Sequence, residues 1–489
     1  MIAHRLCYLA TFLLGSAFAG GPLSPAEREL VESISANTLR GHLSFLASDL
    51  LEGRDTPSRG LDLAAEYIAS QFRRAGLEPG GDQGTYFQNA PYLKITQPME
   101  GFRVRLETPD GKSWESTGAK VMAITNAAVN VAGLEVVKVT LQDKDSPLPS
   151  AELVRGKAVV LYMGRGVSNR ALIEMKPALL LTYAVVPPTP YRLRPASAPA
   201  PPSAPFLLTA DTEFRKLFDA LPNGLTPAKL TANIAAPVEE PIQLRNVIGK
   251  LPGSDPILRN EAILLTAHYD HVGVSPRGDG DRIHNGANDD ASGVSTVLAL
   301  AESIGARKLR PKRTLVFMTY FGEEKGLLGS RYYAAHPTVP LRHTVANLNF
   351  EHMGRTDDSE GKREGQITAT GFDYTTLGEA LTAAGAATGI GTWSHPRNSD
   401  DFFARSDNQA LADAGVPAIT VSVAWIFPDY HRPSDHWEKL DLPNMEKVVR
   451  TVAVAVSRVA NGQSAPQWVE SHPKVKRYVE AARKLQTAD

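Results

Sequence analysis

The sequence predicts an α/β fold: an open, mostly parallel sheet with helices on both faces, plus an inserted mainly β domain. After Asn246, short apolar runs rich in β-formers alternate with helical segments, a repeated strand, loop, helix rhythm. Between residues 101 and 240 that rhythm gives way to alternating strand-like stretches and a proline cluster. The 489-residue length also exceeds what one hydrophobic core usually supports, so an insertion or a second compact unit is expected.

In chain order, Arg5, an apolar run from Leu6 to Leu14 and the small-residue triplet Ala17-Phe18-Ala19 read as a signal peptide over 1–19, cleaved after Ala19. The run is shorter than the roughly 20 residues that span a bilayer, and Gly21-Pro22 follows it. An exported chain, periplasmic or secreted and free of membrane once the leader is removed, is expected. The single cysteine, Cys7, lies in that leader. A mature chain without cysteine has no disulfide, and any metal must sit on nitrogen and oxygen ligands.

Residues 25 to 48 read as helical, and Leu61, Ala64, Ala65, Ile68 and Phe72 recur at helical spacing up to Gly76, a C-terminal stop. Within 101–240, Phe102 to Leu106 and Ala158 to Met163 read as strands, and the prolines from Pro187 to Pro205 as a stiff surface loop. Beyond Asn246 the strands are expected at Ala262 to Thr266, Thr314 to Tyr320, Val345 to Phe350 and Ala418 to Val423. A last helix follows at Met445 to Val459, with residues 463–489 left as a tail. Lysine plus arginine (52) nearly cancel aspartate plus glutamate (53), so the chain lacks the basic field of a nucleic-acid binder.

Each of these strands ends in a polar cluster, and open α/β sheets bind ligands beyond the carboxyl ends of their strands. The clusters are Ala267-His268-Tyr269-Asp270-His271, Asn285 to Gly293 around Asp289, Phe321-Gly322-Glu323-Glu324, Asn349-Phe350-Glu351-His352, and Tyr430-His431-Arg432-Pro433-Ser434-Asp435. Taken singly, a histidine pair in a loop, an aspartate before a helix or two adjacent glutamates are ordinary surface or capping features. The glutamates, however, close a nearly all-apolar strand, where two carboxylates are costly without metal or proton partners. Every cluster carries imidazoles or carboxylates, and two imidazoles with three carboxylates drawn from them are enough for two metal ions sharing one bridging aspartate. Two divalent ions less three carboxylates leave about one positive charge to hold a hydroxide between the metals.

The order of these motifs resembles the dizinc exopeptidases that include bacterial leucyl-type aminopeptidases and glutamate carboxypeptidase, with glutaminyl cyclases as relatives on the same fold. The resemblance covers Leu43 to Gln88, including Leu50-Leu51-Glu52-Gly53-Arg54, and Asn246 to about Val459. It implies two Zn2+ per chain and peptide substrates. His268 would bind one zinc with Asp270 orienting it from behind, Asp289 would bridge, Glu324 and His431 would hold the other ion, and Glu323 would be the general base. Glu351 stands where the family commonly has aspartate, and Asn408 where many relatives have histidine after Arg405-Ser406-Asp407. The peptidase domain would comprise 20–100 and 241–462, and the 101–240 insert is similar in position to a protease-associated domain.

The activity so implied is that of an aminopeptidase acting on N-terminal residues, with Tyr320, Trp425, Ile426 and Phe427 as candidates for the substrate pocket wall. Glutaminyl-peptide cyclisation on the same framework, which uses one zinc, and a catalytically inactive binding relative are the alternatives. Metal stoichiometry separates the first, and eroded ligands would mark the second.

Overall fold

The computed structural model describes residues 21–487 apart from 119, 165, 185–190, 200–203, 277 and 308–309, so the expected leader lies outside the described residues. The chain divides into two compact units, one built from residues up to Ala90 together with those from Leu244 onward, the other Pro91–Gln243.

In the larger unit, Ser24 and Ser35 cap helices α1 (Pro25–Glu32) and α2 (Ala36–Leu46) by accepting backbone N–H groups of their first turns. Helix α3 (Arg59–Arg74) buries Leu61, Ala64, Ala65, Ile68 and Phe72, the face read from the sequence, and Gly76 beyond it takes φ +72. There follow β1 (Val238–Leu251), β2 (Ala262–His268), α4 (Ser292–Gly305), β3 (Thr314–Tyr320), α5 (Leu328–Ala335), β4 (Thr344–Phe350), β5 (Gln366–Thr370), α6 (Leu377–Thr388), β6 (Ala418–Ser422), α7 (Leu442–Asn461) and α8 (Lys476–Thr487).

The strand order is β5-β6-β4-β2-β3-β1. Strands β6, β4, β2 and β3 are mutually parallel, whereas β1 pairs antiparallel with β3 and β5 antiparallel with β6. The sheet is therefore mixed, with a parallel centre and antiparallel flanks, rather than mostly parallel throughout. Parallel pairing needs a covering crossover helix, and α/β sheets commonly take antiparallel strands outside that covered centre. Central strands β2 and β3 are buried along their whole length, which explains their unbroken apolar composition.

Two further expectations are corrected. The segment after Gly462 is not a bare tail: α8 buries Tyr478 and Val479, and the Tyr478 ring stacks on Trp468 at 5.0 Å. Tyr478, Val479, Ala482 and Leu485 form the inward face of α8, at helical spacing in a short segment otherwise rich in charge. The proline cluster is not loop throughout either, since Tyr191–Pro195 pairs antiparallel with Tyr92–Thr96.

The smaller unit contains an eight-stranded sheet. Strands Val129–Leu141, Ala158–Met163, Leu179–Tyr183 and Phe206–Thr209 run parallel, with short helices Ala151–Val154 and Arg170–Glu174 between them, so this unit too is α/β in part. Its core gathers Val104, Trp114, Val136, Val160, Leu181, Phe214 and Leu230.

Candidate metal centre

The centre forms where the carboxyl ends of β2, β3 and β4 meet the loops before α4 and after β6. His268 is the last residue of β2 and has no solvent exposure. Its Nε2 lies 3.2 Å from Asp289 Oδ1, while Nδ1 lies 3.2 Å from the Asp270 carbonyl and 3.5 Å from Asp270 Oδ1. Asp270 in turn accepts the Thr56 hydroxyl at 3.1 Å and the Glu323 backbone N–H at 3.1 Å, tying the β2 end to the β3 end. An imidazole held from behind in this way presents its other nitrogen in a fixed direction.

Asp289 faces two ways. Its Oδ1 meets His268, and its Oδ2 lies 3.1 Å from His431 Nε2. The adjacent Asp290 takes the helix-start role instead, accepting the Gly293 N–H at 2.9 Å, so bridging and capping are divided between neighbouring carboxylates. Gly293 must lack a side chain, because a Cβ would sit 2.2 Å from the Phe350 carbonyl oxygen. Glu324 Oε1 lies 3.1 Å from His431 Nε2, and Glu351 joins His268 and Asp289 in one cluster of prospective ligand atoms. Glu323 and Glu351 both line a cavity of about 170 Å³.

All seven sequence-predicted residues thus come together at one rim of the sheet. Two of the four suggested wall residues do not line the cavity. Tyr320 is buried in the core, and Phe427 packs its ring against His352 and Tyr430; Trp425 and Ile426 do face the cavity, joined by Phe402 and Tyr430. Asn408 is occupied structurally, donating to the Phe403 carbonyl at 3.1 Å and accepting the Thr420 hydroxyl at 2.8 Å.

Several residues that carry the geometry had no role in the motif reading. Arg54 is buried and donates to the carbonyls of Leu46, Tyr269 (2.9 Å), Asn285 (2.7 Å) and Gly286 (3.0 Å), bracing the two loops that carry His268 and Asp289. Asp435 accepts the backbone N–H groups of Asn288 at 2.9 Å and Asp289 at 3.2 Å. His352 places Nε2 3.8 Å from Asp289 Oδ2 and 3.7 Å from Glu351 Oε1. The only sequence signal for these was position inside the quoted motifs, since a buried arginine and a surface arginine read alike in sequence.

Electrostatics explain why this rim suits cations. Burial raises the Glu323 carboxyl well above its usual range, and the charges of Glu324, Glu351 and Asp407 raise it further against the pull of His268. Burial also pushes Asp435 up to about 6. Glu324, by contrast, is held down at about 2: burial and Asp289 raise it, but the close imidazoles of His271 and His431 outweigh them. Burial pulls His431 down, but the carboxylates of Asp289 and Glu324 close to its Nε2 outweigh it and raise it to about 10. His268 Nε2, Glu324 Oε1 and His431 Nε2 are buried atoms without a hydrogen bond of sound geometry among the described residues. Carboxylates crowded around such nitrogen and oxygen atoms are stable only with positive charge among them, which is the donor set of a zinc-type site.

Residues 246–456 match the family described as Peptidase family M28. A probable zinc metalloprotease of Pyricularia oryzae is 29% identical over 213 residues, 42% of this chain and 40% of its own length. Aminopeptidase YwaD of Bacillus subtilis is 25% identical over 241 residues, 47% of this chain and 48% of its own. The chain spans less than half the length of these curated relatives. The solved structure of an aminopeptidase from Aneurinibacillus sp. strain AM-1 shares the fold, with a TM-score of 0.64 at 20% identity, covering 90% of this chain and 97% of that one.

Proposed function

We propose that this chain is an exported zinc-dependent exopeptidase, an aminopeptidase that holds two zinc ions and removes N-terminal residues from peptides. The observation that carries the reading is Asp289, whose two oxygens face different imidazoles at 3.2 and 3.1 Å beside a cavity lined by Glu323. His268, Asp289 and Glu351 would hold one ion, and Asp289, Glu324 and His431 the other. Bound zinc supplies a Lewis acid and brings the pKa of water to about 7.

The chain's own groups do the remaining work. Glu323, whose affinity for a proton is raised by burial, takes the proton of the attacking water and returns it to the departing nitrogen. Tyr430 lines the same cavity, and burial beside Asp289 and Glu324 keeps its phenol protonated, so it can donate to the oxygen that gains charge as the carbonyl is attacked. Phe402, Trp425 and Ile426 form an apolar wall suited to an apolar side chain, and the carboxylates of the floor suit the ammonium of a free N-terminus.

Glu323→Gln is expected to retain zinc content while turnover falls by about 10²- to 10⁴-fold, as for loss of a positioned base. Near-normal activity would remove Glu323 from that role. A panel of aminoacyl, N-acetylated and C-terminally blocked peptides, run with and without chelator, decides the reaction. Cleavage that requires a free amine and is abolished by chelation supports the reading; equal cleavage of N-acetylated peptides overturns it. Export is checked by the mass of the mature chain, expected to begin at Gly20.

A further inference from the structure

His271 is a histidine that neither the motif reading nor the proposed mechanism uses. Its side chain is fully buried, and neither ring nitrogen has a hydrogen bond of sound geometry among the described residues. Nδ1 nonetheless points into the centre, 2.9 Å from Glu324 Oε1, and the ring meets that of His431 edge-on at 5.4 Å. His271, Asp289, Glu324 and His431 can each offer one ligand atom such that all four lie within 4.8 Å of one another.

We propose that His271 is a fourth protein ligand of the second metal position, an inference that rests on the two-zinc reading above. Ligand atoms around a tetrahedral zinc with bonds of 2.0–2.1 Å are separated by roughly 3.3 Å. The corresponding separations here are 2.9 Å for His271 to Glu324, 3.1 Å for His431 to Glu324 and 3.1 Å for His431 to Asp289. The fold also makes room for the ring and anchors its backbone. A Cβ on Gly286 would fall 2.5 Å from His271 Cγ, so only glycine lets the ring lie there, and the His271 N–H donates to the Arg54 carbonyl at 3.2 Å.

The consequence is an unequal pair. His271, Asp289, Glu324 and His431 close the second position with four protein ligands, the pattern of a site that retains its ion. His268, Asp289 and Glu351 leave the first position with three, the pattern that keeps a place for water or substrate. Loss of His271 opens the second position and weakens it, while two of the three ligands of the first, His268 and Glu351, lie outside the cluster that His271 joins.

The test is metal binding by the metal-free full-length chain, followed by calorimetry with zinc and by the visible absorption of the cobalt(II)-substituted protein. The wild-type chain is expected to bind one ion more tightly than the other, with a four-coordinate cobalt spectrum at the first equivalent. His271→Ala and the size-conserving His271→Gln should each weaken the tighter step at least tenfold and convert that spectrum to one of higher coordination number, with the weaker step, which shares only Asp289 with it, affected less. Thermal unfolding of the metal-free variants checks that they fold, and the glutamine variant decides if the alanine variant does not. An unchanged cobalt spectrum in a folded variant overturns the inference, including when affinity drops modestly, because that result marks His271 as a hydrogen-bond partner of Glu324 only. A wild-type chain that binds fewer than two ions overturns the two-zinc reading itself, which separates that failure from this one.

Discussion

At the scale of single residues, the centre depends on groups that never touch substrate. Arg54 stays charged at neutral pH, since burial brings it down only to about 10 against the opposing pull of Asp270, Asp290, Asp289 and Asp435. Replacing it by methionine leaves buried carbonyls without donors and carboxylates without their cation. Arg54→Met is therefore expected to cost on the order of 3–5 kcal/mol in urea unfolding, and to lower zinc affinity because the loops carrying His268 and Asp289 lose their common brace.

A pH dependence follows from His431. Its folded pKa is raised to about 10, so in the metal-free chain its proton contributes stability that is fully present below about 6.5 and is lost as pH rises through about 10. A metal ion must displace that proton. Zinc affinity should accordingly rise about tenfold per pH unit between pH 6 and 9, with at least one proton released per zinc bound at pH 7. Calorimetry in buffers of different ionisation enthalpy measures the release, and a pH-independent affinity would contradict the assignment.

At the scale of elements, the centre is positioned by the tightness with which α4 packs on β4. Ser292 Oγ accepts the Met353 N–H at 2.9 Å, and Asn288 Oδ1 accepts the Gly354 and Arg355 N–H groups at 2.9 and 3.0 Å, so the Asp289 loop and the Glu351 turn are fastened to each other. The close approach at Gly293 is what permits it. Gly293→Ala should destabilise the chain by about 1–3 kcal/mol, the usual cost of overpacking, and should also separate Asp289 from Glu351. Urea unfolding reads the first effect, and weaker binding of the ion shared by His268, Asp289 and Glu351 reads the second. Across the parallel strands, Thr266 donates to Asn349 Oδ1 at 2.8 Å and Asn349 donates to Ser406 at 2.9 Å and Thr420 at 3.1 Å, so Asn349 is satisfied laterally beneath the rim.

At the scale of the whole molecule, stability and metal content are linked because ligands this crowded are stable only when their charge is balanced. Metal removal should lower the thermal midpoint, with zinc at 1,000 times its dissociation constant worth about 4 kcal/mol. Reductant should leave the midpoint unchanged, since the chain has one cysteine and it precedes the described residues. Differential scanning calorimetry with chelator and with reductant separates the two. No helix among the described residues is long and apolar enough to cross a membrane.

The strands at Ala262, Thr314, Thr344 and Ala418 were legible because buried parallel strands must be continuously apolar, and the ligand clusters because polar residues that end such runs stand out against them. Those local patterns determined most of the elements and their order, and the motif resemblance then singled out the prospective ligands among the polar residues at the strand ends. They were silent where meaning depends on partners distant in sequence: the antiparallel pairing of β1 and β5, the packing of α8 through Tyr478 on Trp468, the burial of Arg54, and the turn of Tyr320 and Phe427 away from the cavity. Only the tertiary structure decided these, because backbone pairing direction and side-chain environment arise from the assembled chain. His271 stands on the same divide: a second histidine in a polar loop is unremarkable in sequence, and it acquires chemical meaning only when folding sets its ring against Gly286 and its nitrogen 2.9 Å from Glu324.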